Sequence, residues 1–595
     1  MAKSGSKATD TAAHEAPQVM SGARALIAAL EDEGVDVLFG YPGGQVLDIY
    51  DALYDSQKIQ HILVRHEQAA VHAADGYART AGKAGVVLVT SGPGATNTIT
   101  GITNAYMDSV PLVVIAGQVP TDSIGTDAFQ EADYLGITLP VIKHSYLIKD
   151  VDELVPSIRE AFYIATTGRP GPVVICIPSD IAAQDVAYEP PAGKVSIPSY
   201  KPTRKGNARQ VKQAAELILQ SSRPVIIAGG GIAISGAETE LKNLAEILQI
   251  PVAETLMARG SFPADHCLHL GLAGMHGLPA TNLAIMNSDL LIAVGTRFSN
   301  RVTGDVERFA PRAKIVHIDI DPAEIGKNVR VDIPIVGDAK EVLRALFEQI
   351  QKSDPNSRTS MWIEQIGEWQ DGISVSEQEH DPAIIGAQDI FTELNKAITG
   401  RDVVFTTEVG EHQMWAARYL ADMGPHGFIT SGGAGTMGFG FPAAMGIQLA
   451  HPDKTVVCLA GDGSFQMNIQ EMATCAAYGL PVKVLILNNA SLGMVKQLQE
   501  LFFHKRFSAV DMPRIPDYTK VAEGYGWQGR TVGDPADLAA AIGWLLDADG
   551  PAILDVHMSQ VEMALPMLDL NRDGALDQII GVDMTRGGEP GERRG

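Results

Sequence analysis

The chain has 595 residues, 45% of them hydrophobic and 20% charged, which suits a soluble protein of three or four cored domains at about 150 residues each. Asp plus Glu outnumber Lys plus Arg by 71 to 46, and the net charge of −25 repels phosphate backbones and anionic lipid, so nucleic acid and membrane are poor partners. No apolar run approaches the roughly 20 residues of a membrane span, and Cys176, Cys267, Cys458 and Cys475 lie far apart without a CxxC pair, which suggests neither a zinc site nor a disulfide framework.

Residues 1–18 form a lead-in with acids, no Arg and no apolar core; disorder is expected, not a secretory or transit signal, and the location that follows is cytoplasmic. In the block 19–187 the strand candidates are VVLVT (Val86–Thr90), PLVVIAG (Pro111–Gly117) and PVVICIP (Pro172–Pro178). A linker with four prolines, 188–207, leads to the block 208–351, where PVIIAGG (Pro224–Gly230), LLIAVG (Leu290–Gly295) and KIVHIDI (Lys314–Ile320) take that part. A polar linker, 352–384, precedes the block 385–565 with DVVFTT (Asp402–Thr407), TVVCLAG (Thr455–Gly461), VKVLILNN (Val482–Asn489) and AILDVHM (Ala552–Met558); the tail, 566–595, ends in Gly and charge and is expected to be disordered there. Unbroken apolar β-branched runs imply strands buried on both faces and therefore parallel sheets under helices. The expected fold class is α/β: three doubly wound parallel-sheet domains in series.

The sharpest local pattern is in the third block. One strand ends at Gly461-Asp462-Gly463, and a second ends 27 residues later at Asn489. Parallel neighbours would bring both side chains to one sheet edge, where α/β ligands bind. A carboxylate and an amide oxygen are hard donors suited to Mg²⁺ with help from a backbone carbonyl, and the flanking glycines let N–H groups approach phosphate. The plain alternative is an ordinary βαβ turn. In the first block Glu67 stands between a strand-like run and an amphipathic helix, where it serves equally as a helix N-terminal charge. The loop TSGPGATN (Thr90–Asn97) either cradles a ligand or turns a corner. GGGIAISG (Gly229–Gly236) departs from the GxGxxG spacing of a nicotinamide site.

Taken together and in order, FGYPGG, VRHEQAAVHAADGYART, TSGPGATN, GTDAFQE, GMHG, VGEHQMWAARY, SGGAGTMGFGFPAA, GDGSFQMN and LILNN resemble the thiamine-diphosphate-dependent enzymes. Within them the chain is similar to the catalytic subunit of acetohydroxyacid synthase (acetolactate synthase) over about residues 20–565. The resemblance implies a pyrimidine-binding, a central FAD-type and a diphosphate-binding domain. It implies Mg²⁺ on Asp462, Asn489 and the Ser491 region, with Val409, Gly410, Glu411, His412, Gly463, Ser464, Gly493 and Met494 around the cofactor. Glu67 would hydrogen-bond the aminopyrimidine N1′ and drive proton transfer through the cofactor. Met437 would sit beneath the bent cofactor, and the Gly435 carbonyl would accept from its exocyclic amine. Phe129, Gln130, Met494 and Leu498 would face the acceptor substrate; plain core packing remains the alternative for Phe129. Structural, non-redox FAD is implied at Arg169, Gly230, His276, Arg297, Arg301, Asp319 and Asp338; surface ion pairs are the alternative for the arginines.

The implied reaction decarboxylates pyruvate and condenses its hydroxyethyl unit with a second 2-keto acid, pyruvate or 2-ketobutyrate, the first common step of branched-chain amino acid biosynthesis. The implied assembly is a homodimer or homotetramer with Glu67 and Asp462 of one site on different subunits, together with a small regulatory subunit. A catabolic acetolactate synthase, a decarboxylase or oxidase of pyruvate, and a non-catalytic paralogue are the alternatives. The chain departs from the family pattern in reading RFSNR for RFDDR (Ser299, Asn300), Ser179 for Lys, Thr121-Asp122 for an Arg pair and Glu411 for Gln. Leu498 replaces a Trp that narrows the acceptor pocket and stacks on sulfonylurea and imidazolinone herbicides, so weak acceptor discrimination and herbicide resistance are expected.

Overall fold

The computed structural model describes residues 18–190, 193–353, 358–375, 381–421, 423–569 and 575–584. The expected disorder of residues 1–17 and of the tail's last residues, 585–595, lies outside the described residues.

Three parallel six-stranded sheets follow one another along the chain. Across the first run Gln60–Leu63, Val37–Tyr41, Gly85–Val89, Leu112–Gln118, Pro172–Pro178 and His144–Leu147. Numbered by chain order within the sheet this is 2-1-3-4-6-5, and the third sheet repeats it with Phe428–Ile429, Val403–Thr407, Thr455–Gly461, Lys483–Asn488, Ala552–His557 and Gln528–Val532. The central sheet runs His269–Leu272, Val252–Glu254, Pro224–Ala228, Leu290–Val294, Lys314–Asp319 and Ile333–Val336. Its order, 3-2-1-4-5-6, is that of dinucleotide-binding sheets.

The parallel pairing follows from two-sided burial. Along Leu112–Gln118, Val113 and Ile115 belong to one buried cluster and Val114 and Ala116 to another, one on each face of the sheet. The same division separates Ile226 from Ile227 in the central sheet and Val457 from Val456 in the third. A strand so placed needs helices on both sides, which parallel crossovers provide.

Seven strands escape the apolar-run signal: Val37–Tyr41, His144–Leu147, Val252–Glu254, His269–Leu272, Ile333–Val336, Phe428–Ile429 and Gln528–Val532. His144–Leu147 is a short edge strand with partly exposed, polar positions, whereas the strand-like run before Glu67 is the edge strand Gln60–Leu63. Within 352–384, expected as linker, Ser360–Gly372 forms a helix whose Trp362 is buried, stacks edge-on against Trp369 and donates to the Pro224 carbonyl at 3.2 Å. Among the described residues no helix is long and apolar enough to cross a membrane.

The first and third domains pack directly through the helices Glu67–Ala81 and Gly440–Ala450. Their closeness depends on glycine: a Cβ on Gly76 would stand 2.2 Å from the Ala443 carbonyl oxygen. The third domain also braces the strand and turn before Glu67, because Glu471 accepts from the Arg65 N–H at 2.9 Å and the Tyr478 hydroxyl accepts from the Leu63 N–H at 2.8 Å.

Candidate active site

Ligands of doubly wound sheets bind where the strand order reverses. In the third sheet that point lies between Val403–Thr407 and Thr455–Gly461, and the residues leaving those strands include Val409, Gly410, Glu411 and Asp462. Gly410 has φ 147°, a conformation open to glycine, and turns the chain into the helix Glu411–Tyr419. Asp462 opens the turn Asp462–Phe465, where Ser464 Oγ closes back on Gly461 at 3.2 Å. Asn489 follows the next strand, its Oδ1 accepting from Ser491 N at 3.2 Å and its Nδ2 donating to Glu411 Oε2 at 3.1 Å.

Among the described residues three polar atoms here are buried without a partner: Asp462 Oδ2, Ser491 Oγ and His412 Nε2. Such atoms cost about 1–3 kcal/mol each, more for a charged group, unless a ligand satisfies them. Burial raises the Asp462 carboxyl to about 7, the mark of a negative charge with no counter-charge beside it. Glu411 is buried likewise and is pushed up to about 8, first by desolvation and then by Glu562. There is no room for side chains around them: a Cβ on Gly463 would stand 2.7 Å from Leu492 Cδ2, and one on Gly493 2.7 Å from Asn489 Nδ2. This donor set fits a hard divalent cation and an anion.

Beside this crevice a cavity of about 1220 Å³ runs between all three domains. Val409, Gly410, Gly435, Met437, Met494 and Leu498 line it from the third domain. All seven positions singled out for a flavin, Arg169, Gly230, His276, Arg297, Arg301, Asp319 and Asp338, line it as well. Gly230 stands at the central sheet's reversal point, where Gly231 and Gly295 touch so closely that a Cβ on either would come within 2.6 Å of the other's Cα.

The arginines differ. Arg169 is held in ion pairs with Glu324 at 2.7 Å and Asp321 at 3.2 Å, so the ion-pair alternative describes this residue. Arg297 has no ion pair among the described residues, and burial together with neighbouring Arg169 lowers its pKa. Arg301 Nη1 lies 2.7 Å from the Met275 sulfur. Burial raises Asp319 to about 6 and lowers His276 to about 4, while Asp338 caps the helix Ala339–Gln351. Two arginines on a cavity wall, without carboxylate partners among the described residues, fit a pyrophosphate. Ser299 and Asn300, in place of acids, line the same wall.

Glu67 lies off this cavity. It is the first residue of Glu67–Ala81, and Asn97 Nδ2 donates to its Oε2 at 2.9 Å. The backbone of Gln130 approaches the same loop, since a Cβ on Gly92 would lie 2.7 Å from the Gln130 carbonyl oxygen. Phe129 beside it is 84% exposed, which removes core packing as its role. Glu67, Phe129 and Gln130 thus gather on the first domain, and Asp462, Asn489 and Ser491 gather on the third. The sequence reading missed Gln413, Met414, Lys327 and Asn328, which also line the cavity. Gln413 and Met414 stand within the motif VGEHQMWAARY, and no motif covers Lys327 and Asn328.

Family models match three segments: thiamine pyrophosphate enzyme, N-terminal TPP binding domain, over 20–137; central domain over 211–346; and C-terminal TPP binding domain over 408–556. The chain is 50% identical to the "Probable acetolactate synthase large subunit" of Methanocaldococcus jannaschii over 556 residues, 92% of this chain and 93% of that one. It is 45% identical to the acetolactate synthase large subunit of Haemophilus influenzae over 94% of this chain and 98% of that one. To the acetolactate synthase of Mycobacterium bovis it is 46% identical, over 93% and 90%. Each family model falls on one of the three sheets, the relatives extend over more than nine-tenths of the chain, and the chain belongs to the acetolactate synthases of the thiamine pyrophosphate enzyme family.

Proposed function

We propose that the protein condenses pyruvate with a second 2-keto acid to 2-acetolactate or 2-aceto-2-hydroxybutyrate in branched-chain amino acid biosynthesis. The observation that carries this is the trio of buried, unpartnered polar atoms, Asp462 Oδ2, Ser491 Oγ and His412 Nε2, at the third sheet's reversal point. Asp462, Asn489 and the Ser491 segment hold Mg²⁺, and Gly410, His412 and Gly463 hold the diphosphate of thiamine diphosphate. When bound, the cofactor supplies an electron sink for decarboxylation. Glu67 holds the proton at the aminopyrimidine, Gly435 and Met437 seat that ring, and Gln130 orients the acceptor. In this reading a homodimer that pairs Glu67 of one copy with Asp462 of another completes the site. The relatives named large subunits point to a small-subunit partner for this chain as well. Incubation with pyruvate, Mg²⁺ and thiamine diphosphate tests the reading; acetolactate is the expected product, and its absence from a protein that binds the cofactor would refute it.

The cavity residues support FAD as a structural cofactor. Flavin added to the protein should lose fluorescence on binding, and acetolactate formation should depend on it. Arg297→Ala should weaken flavin binding about tenfold or more, as removal of a charge-assisted hydrogen bond of about 1.5–3 kcal/mol implies. Acetolactate formed at full rate without FAD would overturn this and favour a flavin-independent synthase.

Leu498 lines the cavity beside Met494 and Val495 and packs with the buried cluster that holds Met275 and Leu568. Its aliphatic side chain leaves the acceptor end wide, so pyruvate and 2-ketobutyrate should compete nearly evenly. Leu498→Trp should raise the preference for 2-ketobutyrate about tenfold or more, the worth of about 1–3 kcal/mol of contact. Strong selection of 2-ketobutyrate by the unaltered enzyme, read from product ratios, would refute the assignment.

A further inference from the structure

The seat formed by Gly435 and Met437 belongs to a loop, Ser431–Gly438, without regular secondary structure. Such a segment has no ladder to hold it, and its precision must come from elsewhere. Its far end is fixed by its own domain: Glu408, fully buried, accepts from Gly438 N at 2.5 Å and from Phe441 N at 3.1 Å. Its near end is held by Gln413 of its own domain, which donates to the Ser431 carbonyl at 3.2 Å, and by the first domain. Asp108 accepts from Gly433 N through Oδ1 at 2.8 Å and from Gly432 N through Oδ2 at 3.1 Å.

Asp108 stands at an electrostatically adverse place, the last residue of the helix Ile99–Asp108, where the helix dipole disfavours an anion. Its side chain is out of solvent and is compensated by Arg79, 3.1 Å from Oδ2. Arg79 in turn binds Asp75 at 2.6 Å and the Thr430 carbonyl at 3.1 Å. Asn104 bridges the remaining groups: its Nδ2 donates to Asp75 at 3.1 Å, and its Oδ1 accepts from Ser431 Oγ at 2.5 Å and from Thr436 Oγ1 at 3.3 Å. The loop is therefore gripped at 431, 432, 433 and 436, and the residue before it at 430, by three side chains of the first domain. The grip is tight, since a Cβ on Gly433 would lie 2.8 Å from Asp108 Oδ1 and 3.2 Å from Arg297 Nη2.

We propose that Asp108 is a positioning residue for the reaction: by pinning the Gly432 and Gly433 amides it sets the Gly435 carbonyl and Met437 at the height the aminopyrimidine requires. The inference rests on the reading of Gly435 and Met437 as that seat. A positioning group acts on orientation in the transition state, and a misplacement of about 1 Å costs on the order of a hundredfold in rate. Asparagine at 108 keeps the size but turns an N–H₂ toward either a backbone N–H or Arg79, so one grip is lost.

The test uses the full-length protein with thiamine diphosphate, Mg²⁺ and FAD. Asp108→Asn should lower kcat at least tenfold, leave KM for pyruvate within threefold, and alter the near-ultraviolet circular dichroism of the bound cofactor. A folded Asp108→Asn enzyme with kcat within twofold of the unaltered enzyme, or with a rate loss matched by lost cofactor occupancy and an unchanged dichroism, would overturn the inference. If Asp108→Asn does not fold, Asp108→Glu keeps the charge beside Arg79 and moves the carboxylate off the Gly432 and Gly433 amides; it should lower kcat at least threefold with the same dichroic change, and full activity would overturn the inference. Met437→Ala separates the two readings. Unchanged kcat there refutes the seat itself, whereas a fall there with none in Asp108→Asn refutes only the positioning role.

Discussion

Glu67→Gln is expected to lower acetolactate formation by about a hundred- to ten-thousandfold while thiamine diphosphate still binds, the range over which a positioned acid–base group accelerates proton transfer. The substitution preserves volume and leaves an oxygen for Asn97, which donates to Glu67 Oε2 at 2.9 Å, so the loop should hold its shape. What disappears is a negative charge at the first position of a helix, where the dipole favours it, on a side chain free to share a proton through its other oxygen. Gly94 keeps that second oxygen accessible: a Cβ there would stand 3.4 Å from Oε1. The measurement is kcat beside cofactor affinity. Activity within threefold of the unaltered enzyme would remove Glu67 from the mechanism.

Asp462→Ala should abolish Mg²⁺-dependent binding of thiamine diphosphate without destabilising the cofactor-free protein. The carboxylate is 1% exposed and its Oδ2 has no partner, so in the absence of a cation it costs desolvation and returns little. Its main-chain carbonyl, which accepts from the Tyr518 hydroxyl at 2.7 Å, holds the turn and survives the substitution. Thermal unfolding with and without Mg²⁺ and thiamine diphosphate reads both effects. At a hundredfold excess over Kd the unaltered protein should gain about 2.7 kcal/mol from the ligands, and the variant nothing. A variant that melts well below the cofactor-free parent would mean that Asp462 is a structural residue; one still stabilised by the pair would mean that the cation is held elsewhere.

Buried two-sided strands announce themselves in sequence because each residue along them must be apolar, and that pattern by itself determined the α/β class and the three parallel sheets. The GDG and NN strand ends placed Asp462 and Asn489 at one edge for the same reason, since side-chain alternation and parallel direction leave little freedom there. Other features were decided by tertiary structure. The edge strand His144–Leu147 and the helix Ser360–Gly372 are amphipathic or half-exposed, so their patterns resemble those of loops and linkers. The shared strand order of the first and third sheets, and the dinucleotide-type order of the central one, depend on which strands pair, a choice made by packing between distant segments. Asp108 is the extreme case: the amides it holds lie more than 300 residues further along the chain, and no local pattern marks an acid at a helix end as the clamp of another domain's loop. Local composition dictates what a segment can bury, but hydrogen bonds between domains exist only once the domains have docked.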